Sequence, residues 1–283
     1  MSRASRAVAI LGAGTQGRRL AFMWSNCGRP VNLIDRDEKQ LQASIHEVNT
    51  FRSTFPKFKT AQEWGKVSKF PYAQLREALS NAWLVLECLP ESLQLKRRII
   101  AELEQHAPEN AILASNSSSY TIGEIIAGVQ LKRPERTVSM HSYWPPETCP
   151  LEIMGHDETD PDIIPSLLEE SARHGFQPFH VRRESVGYLY NRVWAAIKRE
   201  ALLTLSEGVS TLQELDDIFK AVLKTPKGPC EQMDVVGLDV VLDIEEHYAQ
   251  TRSGIPQAPR DLLKQMVAEG NLGVKSGQGF YKY

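Results

Sequence analysis

The hexapeptide Gly12-Ala13-Gly14-Thr15-Gln16-Gly17 follows the apolar run at 8–11 directly and opens a stretch with helical patterning. Three glycines at this spacing recur by chance in loops and helix caps, so the motif draws its force from its flanks. Here both flanks fit. A strand feeding a tight turn at Gly12, a close backbone approach at Gly14 and tight helix–strand packing at Gly17 make a phosphate-binding turn. The helix opened by Thr15 and Gln16 aims free N–H groups and the positive end of its dipole at a pyrophosphate. A second apolar run, 31–34, ends at Asp35, where an acceptor for the adenosine ribose hydroxyls is expected. A carboxylate at that point repels a 2′-phosphate, which favours NAD over NADP. Arg36 could hold such a phosphate, but neighbouring side chains of an extended chain point opposite ways.

Apolar β-branched runs near 8–11, 31–34, 84–87, 111–114 and 137–140 alternate with helical patterns, the rhythm of a mostly parallel sheet covered on both faces. After Glu184 the texture becomes helical, with segments at 188–207, 212–223, 235–248 and 259–269. The expected fold is therefore α/β, a Rossmann-type doubly wound domain over 1–183 followed by an all-α domain over 184–283. The apolar helices of the second domain are expected to close over the nicotinamide and to form a homodimer. One stretch, from Phe51 to Lys66, is aromatic and basic. It reads as a surface excursion whose aromatics pack on the sheet, with an adenine-stacking, phosphate-binding flap as the alternative.

Composition narrows the function further. With 33 basic and 35 acidic residues the net charge is −2, without a long basic run, which argues against nucleic acid as a partner. Cys27, Cys88, Cys149 and Cys230 lie far apart without a CxxC pair, so neither a metal site nor a disulfide framework is expected. Neither a membrane-spanning run nor room for a signal peptide precedes the first strand, and a soluble, cytoplasmic protein is expected.

Polar residues just after parallel strands sit where a nicotinamide reacts, which singles out 115–119 and 141–146. Oxidising an alcohol without a metal needs a base near neutrality, and His141 is the natural supplier. Glu152, alone among apolar neighbours, is the expected partner at its second ring nitrogen. A lysine-based alternative would use Lys198 on the long helix.

Seven blocks occur in order: GAGTQG at 12–17, ECLPESLQLK at 87–96, ASNSSS at 114–119, the stretch 141–152, GYLYNR at 187–192, the stretch 228–239 and GQGFY at 277–281. Together they resemble the L-3-hydroxyacyl-CoA dehydrogenase family over nearly the whole chain, including its L-gulonate dehydrogenase and lambda-crystallin branch. The resemblance implies an NAD-dependent oxidoreductase interconverting 3-hydroxy and 3-oxo groups. It implies His141 as the base, Glu152 as its partner, Ser118 and Asn191 as contacts to the substrate oxygen, and Glu91, Lys96, Asn116 and Ser118 beside the cofactor. Three departures bear on the substrate. Trp144 stands where the family has an asparagine beside the base, the 141–152 loop is one residue short, and 36–83 is too short for the family's helical hairpin. A CoA thioester, a free hydroxy acid and a specialised-metabolite alcohol all stay open, as does a non-catalytic, crystallin-like NAD(H)-binding role.

Overall fold

The computed structural model describes residues 5–283. The chain divides after Tyr188 into two compact units. The first is built on an eight-stranded sheet whose core strands are buried on both faces. Its elements are β1 (Ala7–Leu11), α1 (Thr15–Ser25), β2 (Val31–Asp35), α2 (Glu38–Thr54), β3 (Val67–Pro71), α3 (Leu75–Leu79) and β4 (Ala82–Glu87). They continue with α4 (Leu93–His106), β5 (Ile112–Ser115), α5 (Ile122–Ile126), β6 (Thr137–Trp144), β7 (Thr148–Met154), α6 (Ile163–Arg173) and β8 (Gln177–Val181).

The strand order is β3-β2-β1-β4-β5-β6-β7-β8. Pairing is parallel everywhere except between β6 and β7. The order reverses between β1 and β4, so the carboxyl ends of those strands open the crevice in which such sheets bind ligands. Alternation within β1 shows how both faces are filled. Val8 and Ile10 join one apolar cluster with Phe22 and Trp24 of α1, while Ala9 and Leu11 join another with Ile99, Ile100 and Leu103 of α4. Each large apolar side chain buried there contributes roughly 1.5–3 kcal/mol.

The five strands expected from the sequence are present, with ends moved by one to four residues, and three more lie beside them. β3, β7 and β8 carry Pro71, Pro150 and Pro178, and β3 and β8 are half-exposed edge strands. Proline and exposure remove the apolar alternation by which a strand is recognised. The aromatic stretch is also resolved. Phe51, Phe55, Phe58 and Trp64 gather around Phe22, with ring centroids 5.3–6.4 Å from it. Phe51 belongs to the core, and Phe55, Phe58 and Trp64 are half-buried against it, packed through α1 onto the sheet.

The second unit is helical, with α7 (Tyr190–Ser206), α8 (Leu212–Leu223), α9 (Pro229–Val236), α10 (Leu238–Thr251) and α11 (Ala258–Ala268). The single helix expected at 235–248 is two, because Gly237 adopts φ +103 and ends α9. Two buried carboxylates organise this unit. Asp216 accepts the Cys230 and Glu231 N–H groups at the start of α9. Asp234 accepts the Phe280 and Tyr281 N–H groups and so ties the C-terminal segment to α9.

Candidate active site

The glycine turn is held by close backbone approaches. Gly12 has φ +104, and a Cβ there would lie 2.6 Å from the Cys88 carbonyl oxygen; a Cβ on Gly17 would lie 1.7 Å from the Gly12 oxygen. Gly14 differs, since a Cβ on it would meet nothing within 4 Å. It caps α1 with its backbone alone and offers no side-chain acceptor to the first N–H groups of the helix. That leaves open space in front of a positive helix end, which suits a dinucleotide pyrophosphate.

Around this turn lies a cleft of about 830 Å³, with Gly12, Gly14, Gln16, Asp35 and Arg36 among its walls. Asp35 accepts the Ala13 N–H through Oδ2 at 2.7 Å and the Asp37 N–H through Oδ1 at 3.0 Å. Each oxygen keeps a second lone pair, so the carboxylate fits a ribose as well as the loop. Arg36 is exposed. Tyr72, Arg98 and Glu102 complete the outer wall, with the Tyr72 hydroxyl donating to Glu102 at 2.7 Å. Burial and that carboxylate push the Tyr72 phenol up to about 12. Sequence reasoning missed these three, which stand on the short β3–α3 connection and on α4, outside any motif.

His141 and Glu152 lie directly opposite each other across the antiparallel β6–β7 pair. His141 is therefore inside a strand, not in a loop following one. Opposed residues hold their Cβ atoms about 5 Å apart, which explains how eleven residues of separation bring the side chains together. Nδ1 of His141 stands 3.2 Å from Oε2 of Glu152, and the two residues are 5% and 2% exposed. Two tyrosines enclose the imidazole. Tyr143, two residues along β6, meets it edge-on at 4.7 Å and donates its hydroxyl to Glu152 Oε2 at 2.6 Å. Tyr188 stacks on it at 4.8 Å and 20°, and donates to the Ser117 carbonyl at 2.7 Å.

The serine segment is tied to the same region. Asn116 Oδ1 accepts from the Ser142 N–H and hydroxyl. Glu91 Oε1 accepts from the Ser118 N–H at 2.7 Å and its hydroxyl at 3.1 Å, while Ser117 donates to both Glu91 oxygens. Lys96 stands 3.5 Å from Glu91. It is 2% exposed and donates to both oxygens of Glu87 and to the Leu89 carbonyl, so it supports the β4–α4 turn from beneath. Glu87, which sequence reasoning passed over, also accepts from the Ser115 hydroxyl and the Leu89 N–H. The Gln16 amide is likewise occupied, donating to the Ser142 and Tyr143 carbonyls. The Gln16 backbone and the exposed Thr15 are left to face phosphate.

Trp144 does not crowd His141 as expected. It is 49% exposed and lies under the Arg19 guanidinium, 4.2 Å from its centroid, while Arg19 also holds Glu147 and the Pro145 carbonyl. Asn191 is half-buried on the first turn of α7 in the helical unit. Lys198, farther along α7, is buried, and desolvation pulls its ammonium down to about 8 despite Glu245. Among the described residues no metal-binding cluster of histidine, cysteine or acidic groups is found, and no helix is long and apolar enough to cross a membrane.

A doubly wound sheet with a glycine-turn cleft at its switch point and an imidazole–carboxylate pair defines a dinucleotide-dependent oxidoreductase. Sequence comparison narrows the class. The profile of the 3-hydroxyacyl-CoA dehydrogenase NAD binding domain matches residues 7–185, and that of the C-terminal domain matches 187–283. The chain belongs to the 3-hydroxyacyl-CoA dehydrogenase family, whose cofactor is NAD. It is 28% identical to a 3-hydroxybutyryl-CoA dehydrogenase of Clostridioides difficile, over 98% of this chain and 99% of that one. The solved (S)-3-hydroxybutyryl-CoA dehydrogenase of Ralstonia eutropha superposes with TM-score 0.86 at 27% identity, covering 99% of each chain. A diketoreductase described as acting on dicarbonyl compounds superposes with TM-score 0.79 at 26% identity over 100% of both.

Proposed function

We propose that the protein is an NAD-dependent dehydrogenase that interconverts the 3-hydroxy and 3-oxo forms of a small acyl substrate, with His141 as the acid and base. The observation that carries this reading is the buried cross-strand pair of His141 and Glu152. Bound NAD supplies the hydride acceptor. Gly12, Gly14, Thr15, Gln16 and Gly17 receive its pyrophosphate through backbone groups, and Asp35 its adenosine ribose, beside Arg36. Glu91 and Asn116 orient the serine segment next to it.

In the oxidative direction His141 takes the substrate hydroxyl proton on Nε2. Its Nδ1–H faces Glu152 Oε2 at 3.2 Å, so the positive charge arising on the ring is met by a fixed carboxylate. In reduction the same nitrogen returns the proton to the oxyanion. Ser118 holds the reacting oxygen, its hydroxyl proton turning to it from Glu91. Glu152→Gln removes that carboxylate with little change of shape. Its kcat is expected to fall by about 10²- to 10⁴-fold with NADH affinity unchanged, and wild-type turnover in this variant excludes the pair as the proton shuttle.

A second substrate class, a hydroxy acid free of coenzyme A, has its own support. Arg52 donates to the Ser25 hydroxyl and the Gly65 carbonyl, and the rings of 51–64 surround Phe22. The rings and Arg52 of this stretch are therefore engaged internally, which leaves the exposed Lys57, Lys59 and Lys66 to meet a nucleotide, and such contacts supply much of the binding energy of a CoA ester. Comparing kcat/KM for acetoacetyl-CoA, free 3-hydroxybutyrate and L-gulonate ranks the classes. The reading also includes a cytoplasmic location and a homodimer through exposed apolar positions of the helical unit, such as Ile218, Val222 and Leu223 on α8. A monomeric sedimentation profile at micromolar concentration excludes that dimer.

A further inference from the structure

We propose that Tyr143 is a positioning residue for the proton-transfer pair, its phenol holding the Glu152 oxygen that faces His141 and limiting how strongly that carboxylate stabilises the protonated ring. The inference rests on the reading of His141 as the acid and base. The β6–β7 register shifts between Ser142 and Trp144, and Tyr143 in that irregularity meets His141 with ring centroids 4.7 Å apart. One carboxylate oxygen, Oε2, serves both: it lies 2.6 Å from the Tyr143 hydroxyl and 3.2 Å from His141 Nδ1. The phenol contact is the shorter.

An oxygen that already accepts a short hydrogen bond has less charge to offer an imidazolium. The same bond stops the carboxylate from swinging away from the ring. Tyr143 is itself well anchored, because the Gln16 amide donates to its carbonyl and to that of Ser142, and its ring edge meets His141. Glu152 faces the imidazole from β7, Tyr143 from β6 and Tyr188 from the segment after β8, with Glu91 and Glu124 acting electrostatically on Tyr188.

Tyr143→Phe keeps the ring and deletes only the donor. The test is an imidazole ¹⁵N NMR titration of the full-length protein, with His141→Asn used to assign the resonance. The His141 midpoint is expected to rise in Tyr143→Phe, as the hydrogen bond that draws charge from Glu152 is withdrawn. Incorporating 3-fluorotyrosine at position 143, a stronger donor of nearly the same shape, is expected to move it downward. A shape-only role predicts no such opposed pair of shifts. Curves that coincide with wild type, or that move the same way in both proteins, overturn the proposal. The acid–base reading fails on a different result, full turnover by His141→Asn, so the two are separable.

Discussion

Tyr188 shows how a single residue is bent to serve the site. Its φ of +54 lies in the left-handed region, costly for a bulky side chain by about 1–2 kcal/mol. The surroundings hold it there: the residue is buried, its hydroxyl is anchored on the Ser117 carbonyl and its ring lies flat on His141. A second histidine has the opposite relation to protons. His174 is buried against Trp24, accepts from Arg29 Nε on Nε2 and faces Asn26 Oδ1 with Nδ1, a set that suits the neutral ring. Desolvation first, then the Arg29 charge, lowers it from 6.5 to about 3. The unfolded chain binds this proton more readily, so the stability it contributes is full above pH 6.5 and drains as pH falls toward 3. Between pH 6.5 and 4.5 the loss is expected to be about 2–3 kcal/mol. Urea unfolding of His174→Gln across that range should show a flatter dependence on pH than wild type; equal slopes contradict the assignment.

Among the elements, the β4–α4 turn depends on a buried ion pair. Lys96 and Glu87 side chains are 1% and 3% exposed, 3.0 Å apart, and the carboxylate also fixes Ser115 and the Leu89 N–H. Such a pair contributes little net stability when intact, but losing one partner strands a buried charge. Lys96→Met is therefore expected to lower unfolding free energy by about 3–5 kcal/mol and the thermal midpoint with it, and an unchanged midpoint counts against this role. The elements also show what sequence could convey. β1, β2 and β4 to β6 are buried over most of their length and rich in apolar residues, and were legible, whereas β3, β7 and β8 hide behind proline and exposed positions. Missing β7 hid the hairpin. His141 and Glu152 were paired by chemistry and by resemblance, but the cross-strand register that joins them was not.

For the molecule as a whole, the order of the seven sequence blocks conveyed the family, and the glycine turn with Asp35 conveyed NAD, both of which depend on local motifs. Interactions between distant segments were illegible. Tyr143 lies in the 141–152 stretch without a role assigned to it there, and matters because β7 returns Glu152 beside it; Gln16 belongs to the glycine turn yet spends its amide on β6. The partners of Lys96 and Trp144, Glu87 and Arg19, were illegible for the same reason, since they are set by the folded sheet and α1. The central claim is that His141 moves the proton that accompanies hydride transfer. Single-turnover NADH oxidation by His141→Asn, with the best substrate of the three named above and NADH affinity measured in parallel, tests it most directly. The account predicts a rate reduced by about 10²- to 10⁴-fold with unchanged NADH affinity. A rate equal to that of the wild-type protein would contradict it.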